Sequence, residues 1–189
     1  MRTQFISVAD AKRADISVTY RVKPCPKNSS PQGSVFKFCK EKFGLFVYHT
    51  NNSGIKLDPT KTTFEPLVEL PVTVDRKKET HVIAIRPKAK GFYLAFLDKG
   101  ACVAIYNVRV TYNYCNKNVF NTLVQFPRTV APFDDTDVTP TEGKCVVVNS
   151  VNETQLIGYC DRTGVWNASS DVKCLCEPGF GYKETSCQG

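Results

Sequence analysis

Nine cysteines in 189 residues are the first chemistry this chain offers. A cysteine can serve as nucleophile, metal ligand or half of a disulfide, and its context decides which. Cys174-Leu175-Cys176 with Cys160 and Cys187 can be drawn as a zinc set, but zinc pairs use gaps of roughly two to four residues. Four Asn-x-Ser/Thr sequons begin at Asn28, Asn51, Asn152 and Asn167. They are read as glycosylation acceptors, which places the chain in a secretory compartment, where thiols pair. The cysteines therefore read as a disulfide framework. Their odd number leaves one over.

Other chemistry is sparse. His49 and His81 lie in or beside apparent strands and read as surface or edge residues. There is no serine elbow, HExxH, phosphate loop or dinucleotide fingerprint. Asp134, Asp135 and Asp137 lack the spacing of a calcium loop and read as a solvated linker. No metal or cofactor is expected, and binding is favoured over catalysis. The net charge of +7 gathers at Arg76-Lys77-Lys78 and at Arg86, Lys88 and Lys90. These are loop positions without a nucleic-acid motif, so an acidic protein or acidic glycan is the expected partner. No apolar run approaches the roughly 20 residues of a membrane span. Arg2-Thr3-Gln4 leads into no apolar signal core, so the chain reads as a fragment of a longer precursor.

The elements that must position these residues are strands. Ile16, Val18, Tyr20 and Val22 alternate with polar residues until Pro24 and Pro26 end the run. Cys25 and Cys39 bracket a loop rich in Asn, Ser, Pro and Gly and are expected to close it. Phe43, Leu45 and Val47 face opposite Phe46 and Tyr48, which predicts a strand buried on both faces. A strand over 68–74 is expected to turn at 76–79 and pair back with 81–85. The most apolar stretch, 91–115, predicts a long hairpin turning at Asp98, Lys99 and Gly100, set at the centre of an antiparallel sheet. Its second arm is expected to place Ala104, Tyr106, Val108, Val110 and Tyr112 on one face, with Asn107, Arg109, Thr111 and Asn113 on the other. Short strands at regular spacing argue for a β-sandwich. Beyond Cys115 the cysteines crowd together, as in a small module with too little core of its own.

The run Gly91-Phe92-Tyr93-Leu94-Ala95-Phe96-Leu97-Asp98-Lys99-Gly100-Ala101-Cys102-Val103-Ala104 resembles the Eph receptor tyrosine kinases almost residue for residue. Cys39-Lys40-Glu41-Lys42-Phe43-Gly44-Leu45-Phe46-Val47-Tyr48 resembles a second stretch of the same family. The resemblance implies an all-β chain. An antiparallel jelly roll over 1–114, lacking its first strands, would bind ephrins; a sushi-like module would follow over 115–175, and an EGF-like module would begin at 176–189. It implies the pairs Cys115–Cys160 and Cys145–Cys174 from the sushi pattern, and Cys176–Cys187 from the EGF-like one. Cys102 is then unpaired within the chain, its family partner lying upstream of Met1. The implied ligand site is an apolar channel with Arg21, Cys102, Ala104 and Tyr106 on its floor. Lys23 stands where the family meets a ligand carboxylate, and walls are given by the Cys25–Cys39 loop and by the loop carrying Arg86 and Lys88. The resemblance further implies the extracellular side of the plasma membrane, a single-pass receptor, and a kinase absent from these residues. A secreted, glycan-binding β-sandwich is the alternative.

Overall fold

The computed structural model describes residues 1–25, 39–58, 62–73, 77–120, 124–152, 155–168, 173–183 and 186–189. Among them every helix or strand assigned is a strand, and all the strand ladders are antiparallel. The chain packs as two units. The first holds Met1–Asp10 and Ala14–Tyr112, and the second holds Ala11–Arg13 and Asn113–Gly189.

The first unit is a β-sandwich. One sheet has the order β1-β6-β3-β4, from Ile6–Ser7, Gly91–Leu97, Lys42–Thr50 and Glu65–Pro71. The other has the order β5-β2-β7, from Glu79–Ile85, Ala14–Lys23 and Cys102–Thr111. Period-two patterning assembles the core. Ile16, Val18, Tyr20 and Val22 are buried from one sheet, and Phe43, Leu45, Val47, Phe92 and Leu94 from the other. Tyr20 meets Phe43 edge-on, with ring centres 5.3 Å apart. The outward row of β3 is half-buried, with Tyr48 against Phe64 at 5.6 Å.

Two expected hairpins are absent. β6 and β7 belong to opposite sheets, so the turn at 98–100 carries the chain across the sandwich. Gly100 takes φ 111°, and the Asp98 carboxylate accepts the N–H groups of Gly100 and Ala101 at 2.9 and 2.6 Å. This is turn chemistry that fits a crossing as well as a hairpin. β5 likewise pairs with β2 and not with β4. Patterning reports which face of a strand is buried, but either sheet offers an apolar face. β7 is consequently an edge strand among the described residues. Beside it a cavity of about 460 Å³ opens between Phe43 and Phe96 of one sheet and Val103 and Ile105 of the other.

β4 begins at Glu65, three residues earlier than expected, and stops at Pro71. It takes both Pro66 and Pro71 because it is an edge strand, where a missing N–H leaves no ladder partner unmet. Its register against β3 slips between Leu45 and Phe46, beside Pro66.

The second unit is built from short strands: Tyr114–Cys115 (β8), Asn118–Val119 (β9), Val124–Phe126 (β10), Thr129–Val130 (β11), Val138–Glu142 (β12), Lys144–Cys145 (β13), Ser150–Val151 (β14), Ile157–Asp161 (β15), Trp166–Ala168 (β16), Leu175–Cys176 (β17), Gly181–Lys183 (β18) and Ser186–Gln188 (β19). The stretch of Asp134, Asp135 and Asp137, expected to be a linker, holds no strand, and β12 begins directly after it and pairs along its length with β15. Asp135 is ion-paired with Arg162. The core centres on Phe126, packed by Phe120, Trp166, Val124 and Leu156. A second cluster holds Cys115, Cys160 and Ala131.

Asp161 ties the β15–β16 turn. Its carboxylate accepts the Thr163 N–H at 2.9 Å, the Thr163 hydroxyl at 2.7 Å and the Val165 N–H at 2.9 Å. Burial pushes this carboxyl up, but the hydrogen bonds outweigh it and hold the pKa below the ordinary 3.8. A carboxyl depressed on folding adds stability above its unfolded value and loses it as pH falls through the folded one. Asp161→Ala should therefore lower the melting temperature of the second unit at neutral pH. The gap from the native chain should close as the melts are carried well below pH 3.8.

Candidate ligand-recognition face

The outer face of the β5-β2-β7 sheet carries most of the residues expected at a site. Along β2 the side chains of Asp15, Ser17, Thr19, Arg21 and Lys23 alternate with the buried row. The register sets Lys23 opposite Cys102 and Arg21 opposite Ala104. Cys102, Ala104 and Tyr106 share one exposed face of β7, between the inward Val103 and Ile105. At Tyr106 the ladder slips: Ile105 pairs with Tyr20, Asn107 pairs with Thr19, and Tyr106 has no partner of its own. This is a β-bulge, and it shifts the phase of the strand by one residue. Val108 and Val110 therefore point inward, opposite to the single-face alternation expected for Ala104 through Tyr112. The signal was available in the sequence. Val103 and Ile105 are two apart, as are Val108 and Val110, but Ile105 and Val108 are three apart.

The bulge leaves Tyr106 and Asn107 both exposed. Lys78 Nζ lies 4.1 Å from the centre of the Tyr106 ring. A cation over an aromatic face is attracted by the ring's quadrupole, so Lys78 pins a ring that the bulge pushes outward. This contact adds Lys78 to the candidate face. The sequence had shown it only as part of a basic run.

The Lys23 end of the face is framed by covalent and backbone ties. Cys25 and Cys39 are bonded, and the Cys25 N–H donates to Glu41 Oε1 at 2.9 Å. The Lys40 N–H donates to the Gly100 carbonyl at 3.1 Å, linking the far end of the bridged loop to the turn after β6. The interior of that loop lies outside the described residues, as do Asn28 and Arg76. Three further disulfides join Cys115 to Cys160, Cys145 to Cys174 and Cys176 to Cys187. Cys102 is a free, exposed thiol.

Arg86 and Lys88 are placed elsewhere. Ile85 pairs with Ala14, at the opposite end of β2 from Lys23. Nine residues at about 3.3 Å each put roughly 30 Å between those ends. The loop after β5 is instead tied to the other sheet: Lys88 Nζ pairs with Glu65 at 2.7 Å, and the Lys88 N–H donates to His49 Nδ1 at 3.3 Å. Burial holds His49 below 6.5, with Glu65 acting upward and Lys88 downward.

The Lys23 face offers cations, a held aromatic ring and an exposed strand edge. Among the described residues no cluster of His, Cys, Asp and Glu could hold a metal, and no helix is long and apolar enough to cross a membrane.

Comparison with known proteins bears on what such a face meets. Residues 1–115 match the ephrin receptor ligand binding domain, and residues 117–176 match the ephrin cysteine rich domain. The chain is 34% identical over 200 residues to ephrin type-A receptor 4-B of Xenopus laevis, covering 100% of this chain and 19% of that protein. It is 33% identical over 198 residues to ephrin type-A receptor 6 of Homo sapiens, covering 99% of this chain and 18% of the other. It is 34% identical over 198 residues to ephrin type-A receptor 5 of Rattus norvegicus, covering 98% and 19%. The chain thus spans about a fifth of the length of these curated relatives. These matches give no support to a glycan-binding sandwich.

Proposed function

Because this chain belongs to the ephrin receptor family, we propose that it is the extracellular ligand-recognition part of such a receptor and that its partner is an ephrin. Residues 1–114 form the ephrin-binding module, 115–175 a sushi-like module, and 176–189 open an EGF-like one. The intact protein would be a single-pass receptor of the plasma membrane with a cytoplasmic tyrosine kinase. This chain supplies recognition and no catalysis.

One observation carries the assignment: a cation-bearing sheet face, with Lys23 opposite Cys102, Arg21 opposite Ala104, and Tyr106 held outward by Lys78. Lys23 presents a point charge to an acidic side chain of the ephrin. It lacks the two-pronged fork of an arginine, so the contact tolerates a looser ligand geometry. Arg21, Ala104, Cys102 and Tyr106 form the surface beside it. Arg86 and Lys88 stay outside the contact.

In the receptor ectodomain containing this chain, Lys23→Glu should weaken ephrin binding by about tenfold or more, since like charges juxtaposed at an interface cost several kcal/mol. Arg86→Glu should change it far less. Surface plasmon resonance on immobilised ephrin measures both. Equal affinities for native and Lys23→Glu ectodomains, with matching circular dichroism, would remove Lys23 from the site.

A further inference from the structure

The four sequons look alike in the sequence. Only Asn51-Asn52-Ser53 lies wholly within the described residues. All three are exposed, in the turn that follows β3. The turn is built locally: Thr50 Oγ1 accepts the Asn52 N–H at 3.1 Å, and Asn52 Oδ1 accepts the Gly54 N–H at 2.9 Å. The buried Tyr93 anchors it from below, its hydroxyl donating to the Ser53 carbonyl at 2.8 Å.

The Lys90 N–H donates to Asn51 Oδ1 at 2.9 Å. A backbone N–H needs an oxygen as its acceptor, so this bond decides the orientation of the Asn51 amide. Oδ1 faces Lys90, and Nδ2 is turned away from it. Among the described residues, neither Nδ2 nor the Ser53 hydroxyl has a hydrogen-bond partner. Asn167 differs. It stands in β16 between Trp166 and Ala168, both packed on the second unit's core, and its Nδ2 donates to Asp161 Oδ2 at 3.5 Å.

We propose that Asn51 carries an N-linked oligosaccharide, an inference that rests on the extracellular assignment above. The donor is an oligosaccharide on polyprenyl pyrophosphate. The Nδ2–C1 bond forms as the C1–O bond to pyrophosphate breaks. The polyprenyl pyrophosphate leaves with the bonding electrons, and one amide proton passes to a base of the transferase. The product keeps Oδ1 and one amide hydrogen, so the Lys90 bond persists and the turn needs no rearrangement. The sugar stands beside the loop of Arg86 and Lys88, and it leaves the Lys23 end of the opposite sheet uncovered.

The test is expression of the receptor ectodomain containing this chain, behind a signal peptide, in animal cells. Glycans are released with peptide N-glycosidase F in heavy-oxygen water, and the peptides are mapped by mass spectrometry. Asn51 should appear as heavy-labelled aspartate. Asn51→Gln should abolish that label. Ser53→Ala should abolish it too while leaving the Asn51–Lys90 bond in place, which separates lost glycosylation from misfolding. Label at Asn28, Asn152 or Asn167 without label at Asn51 would overturn the proposal and leave the extracellular assignment standing. No label at any sequon would likewise overturn the proposal, while the extracellular assignment stands or falls separately on ephrin binding.

Discussion

Phe126→Ala is expected to unfold the second unit, at a cost of about 3–5 kcal/mol for a buried aromatic ring. Phe126 is wholly buried and meets Phe120 at 5.5 Å and Trp166 at 5.0 Å between ring centres. Its ring lies where side chains on Gly143 and Gly158 would stand: a Cβ on either would come within 2.8 Å of it. Both neighbours are therefore glycines for a packing reason, and neither carries a side chain that could fill the cavity alanine leaves. Apart from its disulfides and the small Cys115–Cys160 cluster, the described part of the unit buries few apolar side chains, and Val148, Val165 and Tyr182 are exposed. A loss of this size is a large part of the roughly 5–15 kcal/mol that holds a domain folded. Trp166 is the chain's single tryptophan, so its fluorescence reports on this unit alone. The emission should shift to the red at room temperature in Phe126→Ala. Phe126→Leu, which keeps more of the volume, should retain native emission with a lowered denaturation midpoint. Native emission and an unchanged midpoint in Phe126→Ala would show that the ring is not the keystone of this core.

Removing the Cys115–Cys160 bond should be nearly as damaging. The bond spans 45 residues of chain. Closing a loop of that length restricts the unfolded chain by about 4 kcal/mol on the chain-entropy account. Both cysteines are fully buried beside Ala131 and Trp166, so Cys115→Ala with Cys160→Ala also disturbs packing. The double variant should be poorly secreted and should show solvent-exposed tryptophan emission. Cys176→Ala with Cys187→Ala opens a span of only 11 residues around the β18–β19 hairpin and should leave Trp166 emission unchanged. Equal damage from the two double variants would mean that the hairpin and the Phe126 core fold as one cooperative block.

Much of this chain is legible in one dimension. Alternation along 16–22 marks β2 because a half-buried strand must put every second side chain in the core. The tight turn at 98–100 follows from Asp98 and Gly100, whose local preferences need no tertiary partner. The run from Gly91 to Ala104 and the crowded cysteines carry the family, and with it a sandwich followed by a disulfide-rich module.

Strand partnership was not legible. β6 and β7 are joined by a short turn yet lie in opposite sheets, because an apolar face can be buried equally well by pairing beside a neighbour or by packing across from it. That choice belongs to the summed packing of all the strands. The same holds for Arg86 and Lys88. They are close in sequence to β6, but the pairing of Ile85 with Ala14 carries them to the end of the sheet away from Lys23. The make-up of the proposed site depended on a single unpaired residue. The bulge at Tyr106 turns Val108 and Val110 inward and leaves Tyr106 out under Lys78. Sequence determined which residues are apolar, which turn and which can pair as thiols, since those are properties of residues and near neighbours. Tertiary structure decided which residues face one another, because that depends on register, and one extra residue in a strand reverses every face beyond it.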